Sequence, residues 1–282
     1  MQIDRQLYTY VAHTLSEYRR VLVETQVARA GRLLYELSIV PPGNAFSVEG
    51  FCYPCGAVRE LSVSIQGHRL VERRVYPPYR EQLICSVCRC CCRHRSSVHL
   101  IHEHLRINRD AAIYITEMLT PTYPVLKRDF PNLIGSEYLG DKVGAGEMDD
   151  RGVPNQDVTR LTFADDSLDA IWSFDVLEHV PDFGKGLSEF YRCLKPGGSA
   201  FITVPFLSDS QQTLVRARLV NGEVQHLAPA EYHGSDLCYY HFGWDFLDMF
   251  RDLGFRDAYG LDFWSRDYGC LGQGMVAICA TK

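Results

Sequence analysis

Two Cys-x-x-Cys pairs, Cys52/Cys55 and Cys85/Cys88, constrain this chain more than any other feature of its sequence. Two thiolates three residues apart can bind one tetrahedral metal ion, at about 2.3 Å per bond for zinc. Residues 56–84 between the pairs form a longer insert than the roughly 15–20 residues that commonly separate the two cysteine pairs of a zinc site. We therefore expect a β-hairpin and a loop in the insert, and one structural zinc ion held by four cysteines.

A disulfide or scattered buried thiols are the alternative to zinc at these pairs. Cys90, Cys91 and Cys92 follow the second pair, and one of them could replace a ligand. A redox role fits less well, since neither pair opens a helix after a βαβ-type strand. His99 and His102 have the spacing of two ligands on one helix face, but four cysteines already suffice, so we expect a solvated or core-edge helix there.

Bulk properties favour an ordinary globular protein. The chain has 282 residues and eleven cysteines, and it contains no apolar run of the roughly 18 residues that a membrane span needs. Residues 1–5 lack the basic and apolar regions of a signal peptide. We therefore expect a cytoplasmic protein with reduced thiols and no membrane association.

The charge of the chain is unevenly distributed. The net charge of −6 argues against a protein built wholly around nucleic acid. Between Cys52 and Asp110, however, ten arginines stand against five acidic residues. A basic module on an acidic body can meet an anionic substrate, an RNA, or the acidic face of the same chain.

Apolar periodicity divides the chain into three parts. Residues 1–45 form an N-terminal segment, in which apolar residues at three- and four-residue steps predict a helix over 5–37. Such a helix can serve as packing surface, lid or homodimer contact. Residues 46–108 hold the zinc-binding module and a linker helix, and residues 109–282 form the remaining body.

Strands and helices alternate in the body. This alternation predicts βαβ units, hence an α/β fold with a parallel sheet and helices on both faces. The predicted strands lie at residues 111–116, 132–137, 157–159, 169–174 and 199–204. The predicted helices lie at residues 123–130, 186–194 and 246–253.

Three segments of the body, in order, carry a family resemblance. They read DDSLDAIWS at 165–173, VLEHV at 176–180 and LKPGG at 194–198. Over roughly residues 111–282, this set resembles class I S-adenosylmethionine-dependent methyltransferases. The resemblance implies a Rossmann-like, mostly parallel sheet of seven strands, with S-adenosylmethionine bound at the carboxyl ends of the first strands.

The resemblance also implies roles for residues at those strand ends. Glu137 corresponds to the carboxylate that accepts from the ribose hydroxyls, and Asp157 to the acceptor for the adenine amino group, with Val158 beside it. Glu117 can receive the amino group of the cofactor. Asp175 lies where the methionine moiety meets the substrate.

The first strand departs from the family. In members of the family this strand ends in an acidic residue followed by a glycine-rich turn, whereas residues 116–121 of this chain are TEMLTP. A bulky turn holds the backbone farther from a ligand than glycine does. A displaced cofactor, weak affinity and loss of transfer activity are the open alternatives.

The acceptor end is predicted from an aromatic- and histidine-rich insertion. His233, His241 and Tyr240 are the catalytic candidates, since histidine can act as a general base near neutral pH. Packed, non-catalytic histidines are the alternative, and His179 is expected to be structural first.

The expected function is methyl transfer to a small-molecule acceptor, an O- or N-nucleophile. The alternatives are a zinc-module methyltransferase of ribosomal or transfer RNA, and a catalytically silent or non-methylating relative.

Overall fold

A computed structural model describes residues 6–282 of the chain. The segment in which a signal peptide was sought, residues 1–5, lies outside the described residues. Within 6–282, none of the helices has the length and apolar character required to cross a bilayer.

The N-terminal segment begins with a strand and continues with two helices. Strand β1 spans Tyr8–Ala12, helix α1 Leu15–Glu24 and helix α2 Gln26–Ser38. The helix predicted over residues 5–37 is therefore wrong at its start. Apolar spacing alone included Val11, but the stretch from Tyr8 to Val11 is rich in aromatic and β-branched residues, which favour strands.

The cysteine pairs lie in a small module of short strands. As expected, the insert between the pairs contains a β-hairpin, and the helix after the second pair ends in a π-helical turn at Ile101–Leu105. The elements of the module are β2 (Ala45–Cys52), β3 (Ala57–Ser64), β4 (Arg69–Val71), β5 (Arg74–Tyr76), β6 (Ile84–Cys85) and α3 (Cys92–Leu100).

The body alternates strands and helices, as predicted. Its helices are α4 (Thr122–Asp129), α5 (Phe183–Cys193) and α6 (Asp245–Leu253). Its strands are β7 (Ile113–Ile115), β8 (Leu133–Gly135), β9 (Leu168–Phe174), β10 (Leu194–Thr203), β11 (Leu214–Val215), β12 (Ala217–Val220), β13 (Glu223–His226), β14 (Tyr232–His233), β15 (Asp236–Leu237), β16 (Tyr240–His241), β17 (Asp257–Trp264) and β18 (Val276–Thr281).

Seven strands form one sheet in the order β1-β17-β18-β10-β9-β7-β8. The four strands from β10 to β8 run parallel, and β18, β17 and β1 pair antiparallel. The predicted α/β fold with a Rossmann-like sheet is confirmed, and the sheet is mixed.

The strand predicted at residues 157–159 is wrong. In its place a single bridge joins Glu137 to Asn155, and the Asp157 carboxylate folds back onto Thr159, whose amide donates to Oδ1 at 2.9 Å. A side chain that caps a turn in this way competes with strand pairing. The seventh strand of the sheet is instead β1, at the opposite edge.

The sheet separates two apolar cores. On one face, Ile113 and Trp172 pack with Leu61 and Tyr79 of the cysteine module. Alternate residues of the same strands point to the other face, where they meet helices α1, α5 and α6. The cysteine module therefore occupies the position of a helical layer on one side of the sheet.

Candidate cofactor and acceptor site

A cavity of about 1250 Å³ opens at the carboxyl ends of the parallel strands. Open α/β sheets bind ligands at this edge. Most of the residues predicted from sequence line it, while Tyr240 does not. The lining residues among those predicted are Glu117, Glu137, Asp157, Val158, Asp175, His233 and His241.

Glu117 follows β7 and is almost fully buried. Its Oε2 accepts a hydrogen bond from Thr116 Oγ1 at 2.7 Å and a long one from the Phe174 amide at 3.4 Å. Its Oε1 is buried and has no hydrogen-bond partner among the described residues. Burial raises the pKa of this carboxyl group well above its ordinary value. A buried acceptor without a donor is costly, so this oxygen is suited to a ligand's amino group.

Glu137 follows β8 and organises the turn that lacks glycine. Its Oε1 accepts from the Met118 amide at 2.8 Å and from the Leu119 amide at 2.6 Å. No donor to Oε2 is seen within residues 6–282, so that oxygen can accept from a ligand.

The space for the bulky turn comes from a glycine on the neighbouring strand. A Cβ added at Gly135 would lie 2.5 Å from Tyr123 Cε2 and 3.1 Å from Met118 Cβ. The first distance is shorter than real Cβ contacts allow. Glycine is thus required on β8 rather than in the turn itself.

Asp157 and Val158 lie at the same edge, beyond the bridge at Asn155. Asp157 Oδ1 accepts from the amide and hydroxyl of Thr159, and Oδ2 lies 3.2 Å from Arg160 Nε. Both oxygens therefore have protein partners. Val158 is largely buried and contributes apolar surface to the cavity.

Asp175, after β9, is held by two arginines of the cysteine module. Arg80 donates to both carboxylate oxygens, at 2.5 and 2.7 Å, and Arg93 Nε lies 3.2 Å from Oδ2. Thr203 Oγ1 donates to Oδ1 at 2.8 Å. Burial alone would raise the pKa of Asp175, but the two guanidinium groups outweigh it and hold that pKa far below its ordinary range.

Sequence reasoning did not place Arg80 or Arg93 at the site. The excess of arginine in the module was the signal that could have indicated them. This excess was compatible with an anionic substrate, an RNA or the acidic face of the same chain, and Arg80 and Arg93 contact an acidic residue of the same chain. Asp175, predicted to lie where the methionine moiety meets the substrate, lines the cavity and also joins the module to the strand edge.

The acceptor end of the cavity contains two histidine–glutamate pairs. His241 Nε2 lies 3.2 Å from Glu231 Oε1, and burial lowers the pKa of His241. His233 Nδ1 lies 3.5 Å from Glu178 Oε1, and this carboxylate raises the pKa of His233. Tyr240 donates its hydroxyl to the Pro181 carbonyl at 2.6 Å, so its oxygen already has a structural partner.

Glu178 is a third residue that sequence reasoning did not assign to the site. It is fully buried, and neither carboxylate oxygen meets hydrogen-bond criteria with any described residue. Burial raises its pKa. Its neighbour His179 lines the cavity and donates from Nδ1 to the Leu237 carbonyl, at 3.0 Å.

The four cysteines of the two pairs come together as one cluster. Cys52 Sγ lies 3.5 Å from Cys88 Sγ, and Cys55 Sγ lies 3.8 Å from Cys85 Sγ. Bonds of about 2.3 Å to a tetrahedral zinc ion would separate sulfurs by about 3.8 Å. The geometry therefore fits a tetrahedral metal.

The three cysteines that could have replaced a ligand have other contacts. Cys90 Sγ lies 3.5 Å from the Pro121 carbonyl, and Cys92 Sγ lies 3.6 Å from the Leu271 carbonyl. Cys91 Sγ lies 3.9 Å from Glu81 Oε2.

Part of the chain matches the model of a known protein family. Residues 141–202, which run from the segment after β8 into β10, match the family model described as a methyltransferase domain. The expected resemblance to methyltransferases is confirmed for this segment.

Two curated proteins match over a similar length. The chain is 36% identical over 63 residues to Methyltransferase GfsG of Streptomyces halstedii, covering 22% of this chain and 23% of that protein. It is 45% identical over 42 residues to Phosphoethanolamine N-methyltransferase 2 of Caenorhabditis elegans, covering 15% of this chain and 10% of that protein. The matches thus span less than a quarter of either relative.

Solved methyltransferase structures are similar at low identity. One is a methyltransferase in complex with the Trm112 methyltransferase activator of Haloferax volcanii, with 15% identity, a TM-score of 0.44, and coverage of 67% of this chain and 90% of that one. Another is an S-adenosylmethionine-dependent methyltransferase from Thermotoga maritima, with 17% identity, a TM-score of 0.39, and coverage of 67% and 89%. The fold assignment rests on the sheet order given above.

Proposed function

We propose that this chain binds S-adenosylmethionine in the strand-end cavity and transfers its methyl group to a small-molecule acceptor. One observation carries the proposal. Two carboxyl groups, Glu117 and Glu137, stand at the ends of adjacent parallel strands, and each keeps one oxygen without a donor among the described residues. The methyltransferase match over residues 141–202 supports the same function.

The residues present fit the cofactor as follows. Glu137 Oε2 would accept from the ribose hydroxyls, while its Oε1 keeps the preceding turn in place. Glu117 Oε1 would accept from the amino group of the methionine moiety. Val158 would pack against the adenine, with Asp157 as the proposed acceptor for its amino group.

S-adenosylmethionine supplies, when bound, a methyl group already activated on a sulfonium. The chain therefore needs mainly to align the acceptor and to exclude water. The cavity, at about 1250 Å³, exceeds the roughly 300–1,000 Å³ of ordinary ligand sites, which favours room for a small acceptor beside the cofactor.

His241 is the proposed general base. Its pKa is lowered by burial, so its ring is neutral at neutral pH and can take a proton from an acceptor hydroxyl or amine. Glu231 orients this ring at 3.2 Å. His233 has a raised pKa beside Glu178 and is better suited to orient or donate to an acceptor oxygen.

We further propose that Cys52, Cys55, Cys85 and Cys88 hold one structural zinc ion. Four thiolates complete a tetrahedral shell and leave no open position for chemistry. The ion would stabilise the module that carries Arg80 and Arg93 to Asp175, and so the wall of the cavity.

Calorimetry with S-adenosylmethionine tests cofactor binding. Glu137→Gln should weaken binding by about ten- to a hundredfold, since it removes a charge-assisted hydrogen bond of about 1.5–3 kcal/mol. Glu223→Gln, at an exposed position of β13, is the matched control and should bind as the wild type does. Absence of both heat and a thermal shift at millimolar cofactor would overturn the enzyme proposal.

The acceptor class is tested separately. Purified protein with methyl-labelled cofactor should label small hydroxyl or amine acceptors from a fractionated metabolite pool. Label in RNA, together with a high 260/280 absorbance ratio of the purified protein, would instead favour the RNA methyltransferase.

A further inference from the structure

A second group of side chains of metal-ligating types lies at the edge of the cavity, where two of its members line the wall. His179, His233 and Cys238 each present a ligand atom, and the three atoms lie within 4.8 Å of one another. His179 belongs to the 3-10 turn Leu177–His179 after β9, His233 to β14, and Cys238 directly follows β15. Two separate segments therefore converge on one point.

We propose that His179, His233 and Cys238 bind a divalent transition-metal ion, with zinc the best match. Two imidazoles and one thiolate form a donor set of borderline softness, which suits zinc better than magnesium or calcium. Three protein ligands, rather than four, are typical of zinc sites that keep one position open.

Glu178 provides an independent observation at the same point. Its carboxylate is fully buried and neither oxygen has a hydrogen-bond partner among the described residues. Its Oε1 lies 3.5 Å from His233 Nδ1 and 3.7 Å from His179 Nε2. Ligand atoms at about 2.1 Å from one tetrahedral ion lie about 3.4 Å apart, so this oxygen is close enough to balance the charge of the ion.

The ring of His179 is already oriented for metal binding. Its Nδ1 faces the Leu237 carbonyl at 3.0 Å, and a carbonyl can only accept. Nδ1 therefore carries the hydrogen, which leaves the lone pair of Nε2 free. Histidines that bind metals in proteins commonly donate their other nitrogen to a carbonyl or carboxylate in this way.

The ion would fasten the β14–β15 hairpin to the end of β9. That hairpin has only two paired positions, Tyr232 with Leu237 and His233 with Asp236. His179 and His233 both line the cavity, so an open coordination position would face it and could take an acceptor oxygen or sulfur. This last consequence rests on the proposed function, whereas metal binding does not.

Metal content of matched variants tests the site. Wild type, His233→Ala and His226→Ala are loaded with zinc, dialysed without chelator and measured by mass spectrometry of the metal. His233 is a suitable target because its side chain is 41% exposed, so truncation should not prevent folding. His226, on the exposed strand β13, is the control. We expect His233→Ala to hold one zinc fewer per chain than wild type and control.

The difference in zinc content between wild type and His233→Ala reports on the proposed site alone, because zinc bound to the cluster of four cysteines should be the same in both. Cobalt loading supplies a second readout: Cys238→Ser should lose part of the thiolate-to-cobalt absorbance, while Cys193→Ser, at another buried thiol, should not. Equal metal content in wild type and His233→Ala, with unchanged cobalt spectra in Cys238→Ser, would overturn the site. Calorimetry with S-adenosylmethionine on the same samples shows separately whether cofactor binding stands.

Discussion

Glu36, a buried carboxylate on α2, should be a principal stabilising contact of this fold. Its Oε1 accepts from Trp264 Nε1 at 2.7 Å and from the Gly272 amide at 2.8 Å. Its Oε2 accepts from the Tyr76 hydroxyl at 2.6 Å and from Gln273 Nε2 at 2.9 Å. One side chain thus joins α2, the cysteine module, the sheet and a loop that reaches the cavity.

Replacing Glu36 by alanine would leave these donors without an acceptor. Gln273 is half-buried and can turn to water, but Tyr76 and Trp264 are buried. A buried donor without a partner costs about 1–3 kcal/mol, so Glu36→Ala should lower the free energy of unfolding by at least about 3 kcal/mol. Glu36→Gln should cost about 1 kcal/mol or less, since the Tyr76 hydroxyl and the Gln273 amide can both reverse their roles.

Urea unfolding followed by far-ultraviolet circular dichroism measures both values. Glu24→Ala, at an exposed position of α1, is the matched control and should change stability by no more than about 0.5 kcal/mol. The reasoning is refuted if Glu36→Ala lies within about 1 kcal/mol of wild type, or if Glu36→Gln is as damaging as Glu36→Ala. Either result would mean that the donors find water instead.

Three further predictions concern the site and the module. Gly135→Ala should cost about 1–3 kcal/mol in thermal unfolding and weaken cofactor binding, because its Cβ would overlap the Tyr123 ring. Asp175→Asn should cost about 1.5–3 kcal/mol at pH 7, because Arg80 and Arg93 would lose one carboxylate partner while both keep Glu81. Because the folded pKa of Asp175 is lowered, this cost should shrink as pH falls below about 4. Cys88→Ser should lower the melting temperature by several degrees and reduce bound zinc.

Each of these has a discriminating comparison. Tyr123→Ala should restore much of the stability lost in Gly135→Ala, and a double variant no better than Gly135→Ala would disprove the overlap. A loss in Asp175→Asn that is the same at pH 3 and pH 7 would show that the carboxylate charge is not what matters. An unchanged melting temperature in Cys88→Ser, or in wild type after chelation, would argue against structural zinc.

The parallel part of the sheet was predictable because its signals are local. Buried strands read as short apolar runs, and side chains just after parallel strands meet at one edge. This reasoning brings Glu117 and Glu137 to the same cavity from the sequence alone. The clustering of Cys52, Cys55, Cys85 and Cys88 was likewise predictable, since the spacing within each Cys-x-x-Cys pair allows both of its thiols to reach one ion.

The missed features depend on partners distant in sequence. Strand β1 combines the apolar spacing of a helix with a composition that favours strands, and its pairing with β17 decides between the two. Arg80 and Arg93 are two arginines among ten in their region, and docking of the module on the sheet selects them. Glu178 belongs to the site only because the β14–β15 hairpin, more than fifty residues away in sequence, brings His233 next to it.

The edge pairing of β1 has a consequence for synthesis on the ribosome. Tyr8 pairs with Trp264, so β1 must wait for about 250 further residues, roughly 13 to 50 seconds of translation. The four cysteines of the two pairs, in contrast, all leave the ribosome within residues 52–88. The module can therefore assemble its four cysteines while β1 is still without its neighbour, which makes closure of the sheet a late step of folding.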